Sequence, residues 1–481
     1  MTIFEKEIIG DVQNEFDDLL DFVVKDSRNQ QAYEVEKTIW KKLLHMGYLL
    51  LKMWFQLRCE QYGQEPMIGD DNQNTPFLEN KERSFFSIFG KFKIPRPYFY
   101  RLGVGGTSPL DELLGLGDDI YSDMLRQMHE LLAVYTVYGK TVKLMDNFLG
   151  IKLSTRAVQQ CISKDAVDVA TYYDKQEAPA VDSEAEILVA QADGKGVPLI
   201  FDKFEGGRKI RKKESVVTAV YTIATQPRSP EDILSSYFDN KPTKSHKKRV
   251  RPRNKKVWAT LQGKDEAFSR LERQVNKRNN DHIVHRVALC DGDPSLQHRF
   301  EANLSDFTLI LDFIHADEYL WDAAKLLFDG NAPQRHQWVR KQAALMLSSQ
   351  TTQLITDLRH QATLSESTSA QQEELEKAAN YFERNSGRMD YQTYLANGWP
   401  IASGVIEGAC RHLVKDRMEC SGMSWHHPTA ESLLALRAVA ENDDWDEYHA
   451  FRRQRRQRRL FYPQSPDTFM PTVYHQLPLV I

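Results

Sequence analysis

Two apolar runs that each stop at an aspartate constrain this chain more than any other feature. EILVAQAD ends at Asp193, HRVALCD ends at Asp291, and both acids are followed by glycine. A buried strand carries such a charge to the rim of its sheet, where ligands bind. The two acids lie 98 residues apart (291 − 193) and meet only if their strands are neighbours. GVPLIF and ESVVTAVYTIAT read as two more strands after the first, KDEAFSRLERQVNKR as a helix, and FTLILDF as a last strand, which together predict an α/β layer.

A chain of 481 residues is too long for one core and predicts several domains. With 41% apolar and 27% charged residues, disorder, collagen-like repeats and a disulfide-stapled miniprotein are excluded. No apolar run reaches the length of a membrane span, the N-terminal residues are acidic rather than signal-like, and the five scattered cysteines form no C-x-x-C pair. The expectation is a cytoplasmic protein with reduced thiols. Its net charge of −4 gives no hint of nucleic acid, but its distribution does: Lys241 to Lys256 holds nine Lys or Arg and no acid, and Gly207 to Lys213 and Arg452 to Arg459 are also basic.

Residues 1–110 read as an N-terminal helical region closed by an aromatic and basic hairpin. Its apolar stripe at Trp40, Leu43, Leu44, Leu50, Leu51, Trp54 and Leu57 has helical spacing and is expected to be core. RSFFSIFGKFKIPRPYFYR suits a hairpin whose aromatic rings either stack on bases or pack in a subdomain core. Residues 111–180 contain a helix ending at Gly150, a turn, and Ser154 as N-cap of a second helix with Arg156, Gln159 and Lys164 on its polar side. That is the layout of a helix-turn-helix, although any αα-hairpin shares it. Residues 181–320 form the first part of the α/β core, 321–400 a helical insertion, 401–445 the closing core helices and 446–481 a basic C-terminal tail.

The third acid is Glu407, with Arg411 and Lys415 four and eight residues on, so that an α-helix presents all three on one face. An ordinary surface ion pair has the same spacing. Three carboxylates clustered alone repel one another, whereas around two divalent cations they become ligands, and oxygen-only ligation suits Mg²⁺ or Mn²⁺ better than zinc. Arg411 and Lys415 are then placed to hold phosphates.

ADGKGVPL around Asp193, LCDGDPSL around Asp291, DFIHADEYLWDAA, and SGVIEGACRHLVKDRMECSGMSW around Glu407 carry a resemblance. The chain resembles the DDE-type insertion-sequence transposases, closest to the ISKra-type family, which is similar to the Mutator-like transposases. FGKFKIPRPYFY, SPLDELLGL and YGKTVKLMDNFLGIKLSTRAVQ extend it more weakly over nearly the whole chain. The resemblance implies an RNase H-like core interrupted by a helical domain and a catalytic, metal-binding triad of Asp193, Asp291 and Glu407. It implies two Mg²⁺ or Mn²⁺ ions that activate water and then a DNA 3′-hydroxyl, with terminal inverted repeats and target DNA as partners and a homo-oligomeric synaptic complex. Asp312-Phe313-Ile314-His315 matches the (Cys or Asp)-x-x-His signature of related transposases.

The departures are specific. Relatives often carry zinc-ribbon Cys or His pairs near the hairpin; only Cys59 lies there, and Cys410, Cys420, His412, His426 and His427 lack tight ligand spacing, so no zinc is expected. Asp293 competes with Asp291, which ends the apolar run directly. Lys247, Lys248, Arg249 and Arg251 are expected DNA contacts, His315 a second-layer or DNA-contacting residue, and Trp425 either a ring that stacks on a base or a hydrophobic anchor. Two other readings stay open: a DNA-binding regulator derived from a transposase without chemistry, and an RNase H-like nuclease that cuts without joining strands.

Overall fold

The computed structural model describes residues 3–68, 73–202, 208–239, 250–364, 368–420 and 422–464, with the side chains of 3–8, 202, 208 and 209 left aside. It is a mixed α/β protein of two compact units, Met1–Asp168 with Trp445–Ile481, and Val169–Asp444. Among the described residues, no helix is long and apolar enough to cross a membrane.

The second unit is built on a five-stranded sheet: β1 (Ile187–Asp202), β2 (Arg208–Ile223), β3 (Arg253–Thr260), β4 (His285–Cys290) and β5 (Thr308–Leu311). The spatial order is β5-β4-β1-β2-β3. The first three strands form an antiparallel meander, and β4 and β5 then add parallel on the other side of β1. Residues Ile187 to Ala190 of β1 are completely buried, as a central strand covered on both faces requires.

Two strand assignments change. EILVAQAD and GVPLIF are one strand, because β2 pairs with β1 along its whole length, from Ile187↔Ile223 to Asp202↔Arg208. The meander's third strand comes from the end of the cationic block: Val257, Trp258 and Ala259 bury, and this packing draws the preceding Lys255 and Lys256 into β3. The helix Lys264–Arg278 links β3 to β4.

The helices of the 321–400 region do not form a core of their own. Val339, Leu354, Leu358, Leu375 and Phe382 share one buried cluster with Ile187, Val189, Val287, Leu289 and Ile310 of the sheet. The helix Phe313–Leu327 starts two residues after β5 and enters that cluster directly.

In the first unit, the helix Ala32–Tyr62 packs through Tyr48, Leu51 and Phe55 on Phe85, Phe92 and Ile94 of the hairpin Phe77–Ser87 and Gly90–Arg101. Packing therefore claims these hairpin rings. The expected core stripe is only half right: Trp40, Leu43, Leu50 and Trp54 are exposed, because the hairpin covers an adjacent face of the helix. Helices Tyr138–Leu149 and Thr155–Asp165 flank a turn, and the Ser154 hydroxyl accepts from the Ala157 N–H at 3.1 Å. The cationic run Arg452 to Arg459 is no tail: it lies in the helix Trp445–Phe461, where Arg452 and Arg456 are buried against Asp123.

One core acid carries a measurable pH signature. Asp317 is fully buried, accepts from Trp321 Nε1 at 2.8 Å, and burial pushes its carboxyl up to about 7 against the hydrogen bonds from Trp321 and Tyr237. Because the folded value lies above the unfolded one, the folded state holds the proton more tightly, and stability falls as pH rises from the unfolded value to about 7. Asp317→Asn removes this dependence. Relative to wild type, the variant is expected to gain on the order of 2–3 kcal/mol between pH 5 and pH 8 in thermal or denaturant unfolding. A wild-type-minus-variant difference that is flat over this range contradicts the assignment.

Candidate active site

The sheet register decides which acids meet. β1 and β4 pair in parallel from Ile187↔His285 to Gln191↔Leu289, and two more residues along each strand stand Asp193 and Asp291. β4 and β5 pair up to Cys290↔Leu311, so Asp312 is level with Asp291. Counted on from the last paired residues, the three acids stand at one level, Asp291 and Asp312 each one residue past the end of its strand, with the Asp312 N–H still donating to the Cys290 carbonyl at 2.9 Å. Asp193 does not close its strand, since β1 continues along β2, but it lies just past the point where β1 parts from β4.

Glu407 is brought to this level by backbone ties. Gln191 Oε1 accepts from the Ile406 N–H at 3.0 Å, binding the helix Gly404–Ala409 to β1 two residues before Asp193. Asp312, completely buried, accepts from the Ser403 N–H at the start of that helix and from the His315 N–H at 2.8 Å in the first turn of the helix Phe313–Leu327. Asp312 thus caps two elements at once, and His315 and Glu407 take their places from it. Cys410 Sγ donates to Asp193 Oδ2 at 3.2 Å.

The electrostatics are those of clustered carboxylates. Asp291 is held above the usual carboxylate range by burial and by the charge of Asp193, with His315 opposing. Glu407 is raised by partial desolvation and then by Asp312 and Asp193, again with His315 opposing. Asp293 differs: Lys264 at 2.6 Å and the Ser295 N–H at 2.7 Å hold it below the usual range as a helix cap.

Crowding explains the glycine after Asp291: a Cβ on Gly292 would lie 2.3 Å from the buried Tyr381 ring, so glycine lets that ring pack directly behind the acid. At Gly194 the near atom is the end of the flexible, half-exposed Glu214 side chain, which can give way.

The expected DNA contacts fall into different classes. Arg156 is exposed and Gln159 half-buried, whereas Lys164 is paired with Asp118 and Asp119 at 3.3 and 3.1 Å. Lys247, Lys248 and Arg249 lie outside the described residues. Arg251 lines a cavity of about 390 Å³ with Lys255, His412, Gly404 and Gly408. Arg411 and Lys415 are exposed, but the expected stripe with Glu407 is broken: Cys410–Lys415 is a π-helical turn, which shifts the phase of the side chains after Ala409. Trp425 is the anchor and not a stacking ring. It is buried, donates from Nε1 to the Met418 carbonyl at 3.1 Å, and bridges to Leu199 of β1.

The roles of Gln191, Ser403 and Cys410 escape a reading by motif. For Gln191 a signal existed: a polar residue inside an otherwise apolar central strand needs a buried partner.

Among the described residues, one trio brings three ligand-type atoms within 4.8 Å of one another: Glu130, Asp165 and His449 in the first unit. By spacing alone it could hold a metal ion. Its charges oppose this, because Asp165 already accepts from Arg126 Nε and Arg452 Nη1, both at 2.9 Å. Burial raises Glu130 toward its neutral form and lowers His449 to about 3. Two guanidinium groups beside the trio do the work of a cation. Asp193, Asp291 and Glu407 do not form a trio that close among the described residues.

No family model matches the chain, and no curated protein does. Among solved structures it is similar to a chain titled "Drosophila P element transposase strand transfer complex", with 9% identity and a TM-score of 0.26 over 69% of this chain and 80% of that one. A likeness at that score carries no argument, and the site rests on register and hydrogen bonds.

The ion-pair account of the Glu130 trio is testable. Asp165→Asn is expected to lower the stability of the first unit by about 3–5 kcal/mol, because it strands buried guanidinium charge. Chelator is expected to leave the wild-type unfolding of that unit unchanged. A drop on chelation, reversed by added metal, contradicts it.

Proposed function

We propose that this chain is a DNA transposase of the DDE type, acting on the ends of an insertion sequence, with an RNase H-like core and Asp193, Asp291 and Glu407 as its catalytic triad. The observation that carries the reading is the register that sets Asp193 and Asp291 side by side, with the Glu407 helix tied to the same strand by Gln191. The strand order, an antiparallel meander extended by two parallel strands beyond β1, supports the RNase H-like assignment. The resemblance of the motifs around these three residues supplies the transposase reading.

The donor set fits divalent cations. All three side chains are carboxylates, and Asp291 and Glu407 are both raised, first by burial and then by neighbouring carboxylates that include Asp193. Bound there, Mg²⁺ or Mn²⁺ supplies Lewis-acid activation of the attacking oxygen and charge stabilisation at the phosphodiester. The chain's own residues do the positioning. Asp312 fixes the start of the Glu407 helix, Cys410 orients Asp193, and His315 offsets the charge of Asp291 and Glu407. The exposed Arg156 in the second helix of the 138–165 pair is the candidate for reading DNA ends.

Asp193→Asn, Asp291→Asn and Glu407→Gln are each expected to cut the rate of DNA cleavage by at least about a hundredfold. DNA binding should be kept or improved, since a negative charge near phosphate is lost. Strand cleavage and joining on duplexes bearing the element ends measure this, and wild-type-like cleavage by Asp193→Asn contradicts it. Protons compete for the raised carboxyls of Asp291 and Glu407. The Mg²⁺ concentration giving half-maximal cleavage should therefore rise as pH falls, and one that does not change across the acidic range contradicts the ligand assignment.

A further inference from the structure

The first unit leaves an apolar helical face open. Its first helix, Ile3–Asp21, folds back on the helix Ala32–Tyr62, with Glu15 against Lys42 at 3.8 Å. Apolar residues recur at Ile9, Val12, Phe16 and Leu19 of the first helix and at Ile39, Leu43, Met46, Leu50, Met53 and Leu57 of the second, in alternating steps of three and four. That spacing is the a/d seam of a helical bundle. The hairpin does not cover it, since Tyr48, Leu51 and Phe55, which meet the hairpin, fall between the seam positions on a neighbouring face.

Two helices cannot close such a seam alone. Phe16 and Leu20 of the first helix and Trp40, Leu43, Leu50 and Trp54 of the second are 38–49% exposed, and the other seam residues are half-buried. Trp40 already donates from Nε1 to the Phe148 carbonyl at 2.8 Å, so what it leaves open is ring. Scattered exposed apolar residues need no explanation. At roughly 100 Å² each, these side chains and their half-buried neighbours make a face of about 800 Å², beyond the largest patch of a typical monomer and equal to one partner's share of a stable interface. Charge bears on the partner. From Ile9 to Asp21 the first helix carries Asp11, Glu15, Asp17, Asp18 and Asp21 and no Lys or Arg, whereas from Lys37 to Cys59 the second carries Lys37, Lys41, Lys42, Lys52 and Arg58 and no Asp or Glu. The face is therefore bordered by one acidic and one basic helix, which makes it complementary to itself.

We propose that a second copy of this chain closes the face: the helical hairpins of two copies join about a two-fold axis into a four-helix bundle, with Phe16, Leu43 and Leu50 of each copy in its centre. A two-fold interface uses one patch twice, so the patch must complement itself. Here the axis sets the acidic helix of each copy beside the basic helix of the other, as Glu15 and Lys42 already stand within one copy. The inference is independent of the reading of the acidic site in the second unit.

Analytical ultracentrifugation of the full-length chain at micromolar concentration tests it. The wild type is expected at twice the chain mass of 55.7 kDa. The double variant Leu43→Asp, Leu50→Asp changes side chains that are exposed within one copy, so it is expected to keep the circular dichroism of the wild type while its dimer dissociation constant rises at least about a hundredfold. Phe16→Asp, on the other helix, is expected to act in the same direction. Leu102→Asp, at a position 87% exposed in the turn after the hairpin, is expected to leave the dimer intact. Should the double variant fail to fold, hydrogen exchange of the wild type decides: dilution through the dissociation range is expected to release protection in residues 9–20 and 39–57. A monomeric wild type overturns the proposal, whether it stays free or floats with anionic lipid vesicles. So does a dimer that both seam variants leave unchanged, or exchange in these two segments that dilution does not alter.

Discussion

The second unit depends on one arrangement of backbone hydrogen bonds, the parallel pairing of β1 with β4 and of β4 with β5. A shift of one residue in either pairing would turn an aspartate to the opposite face. In the register observed, Asp193, Asp291 and Asp312 are level, and like charges at one level cost free energy unless something compensates. Asp312 is compensated by the two N–H groups it caps. Asp193 has the thiol of Cys410 and a local N–H group, Asp291 a local N–H group and the His315 field, and among the described residues no guanidinium or ammonium is hydrogen-bonded to either. Asp165, by contrast, is gripped by both Arg126 and Arg452.

Much of this was legible in the sequence because it is local. Apolar runs ending in Asp-Gly marked β1 and β4, Ser154 marked a helix start, and FTLILDF marked β5. What stayed hidden is set by pairing between distant segments. No periodicity says that β2 pairs with β1 beyond Asp193 and makes one long ribbon of two expected strands. Nor does spacing foresee a π-helical turn after Ala409, so the face shared by Glu407, Arg411 and Lys415 was drawn for a helix that changes its pitch there.

Charge was the least reliable guide. Arg452 to Arg459 reads as a cationic tail, yet Asp123, Asp165 and Asp168 meet its arginines inside the first unit. Lys164 is likewise spent on Asp118 and Asp119. A run of cations becomes a nucleic-acid surface only where acidic partners are missing, and that depends on which helices pack together. Apolar patterning has a similar limit. The stripe of the helix Ala32–Tyr62 has the period of a buried face, but the hairpin covers the neighbouring one and leaves Trp40, Leu43, Leu50 and Trp54 in solvent.

Anomalous diffraction from crystals soaked in Mn²⁺ asks directly whether the aligned acids hold divalent cations. The account predicts metal density in contact with Asp193 and Asp291, within reach of Glu407, and none among Glu130, Asp165 and His449. Ordered Mn²⁺ in the first-unit trio, with nothing bound at the ends of β1 and β4, would contradict it.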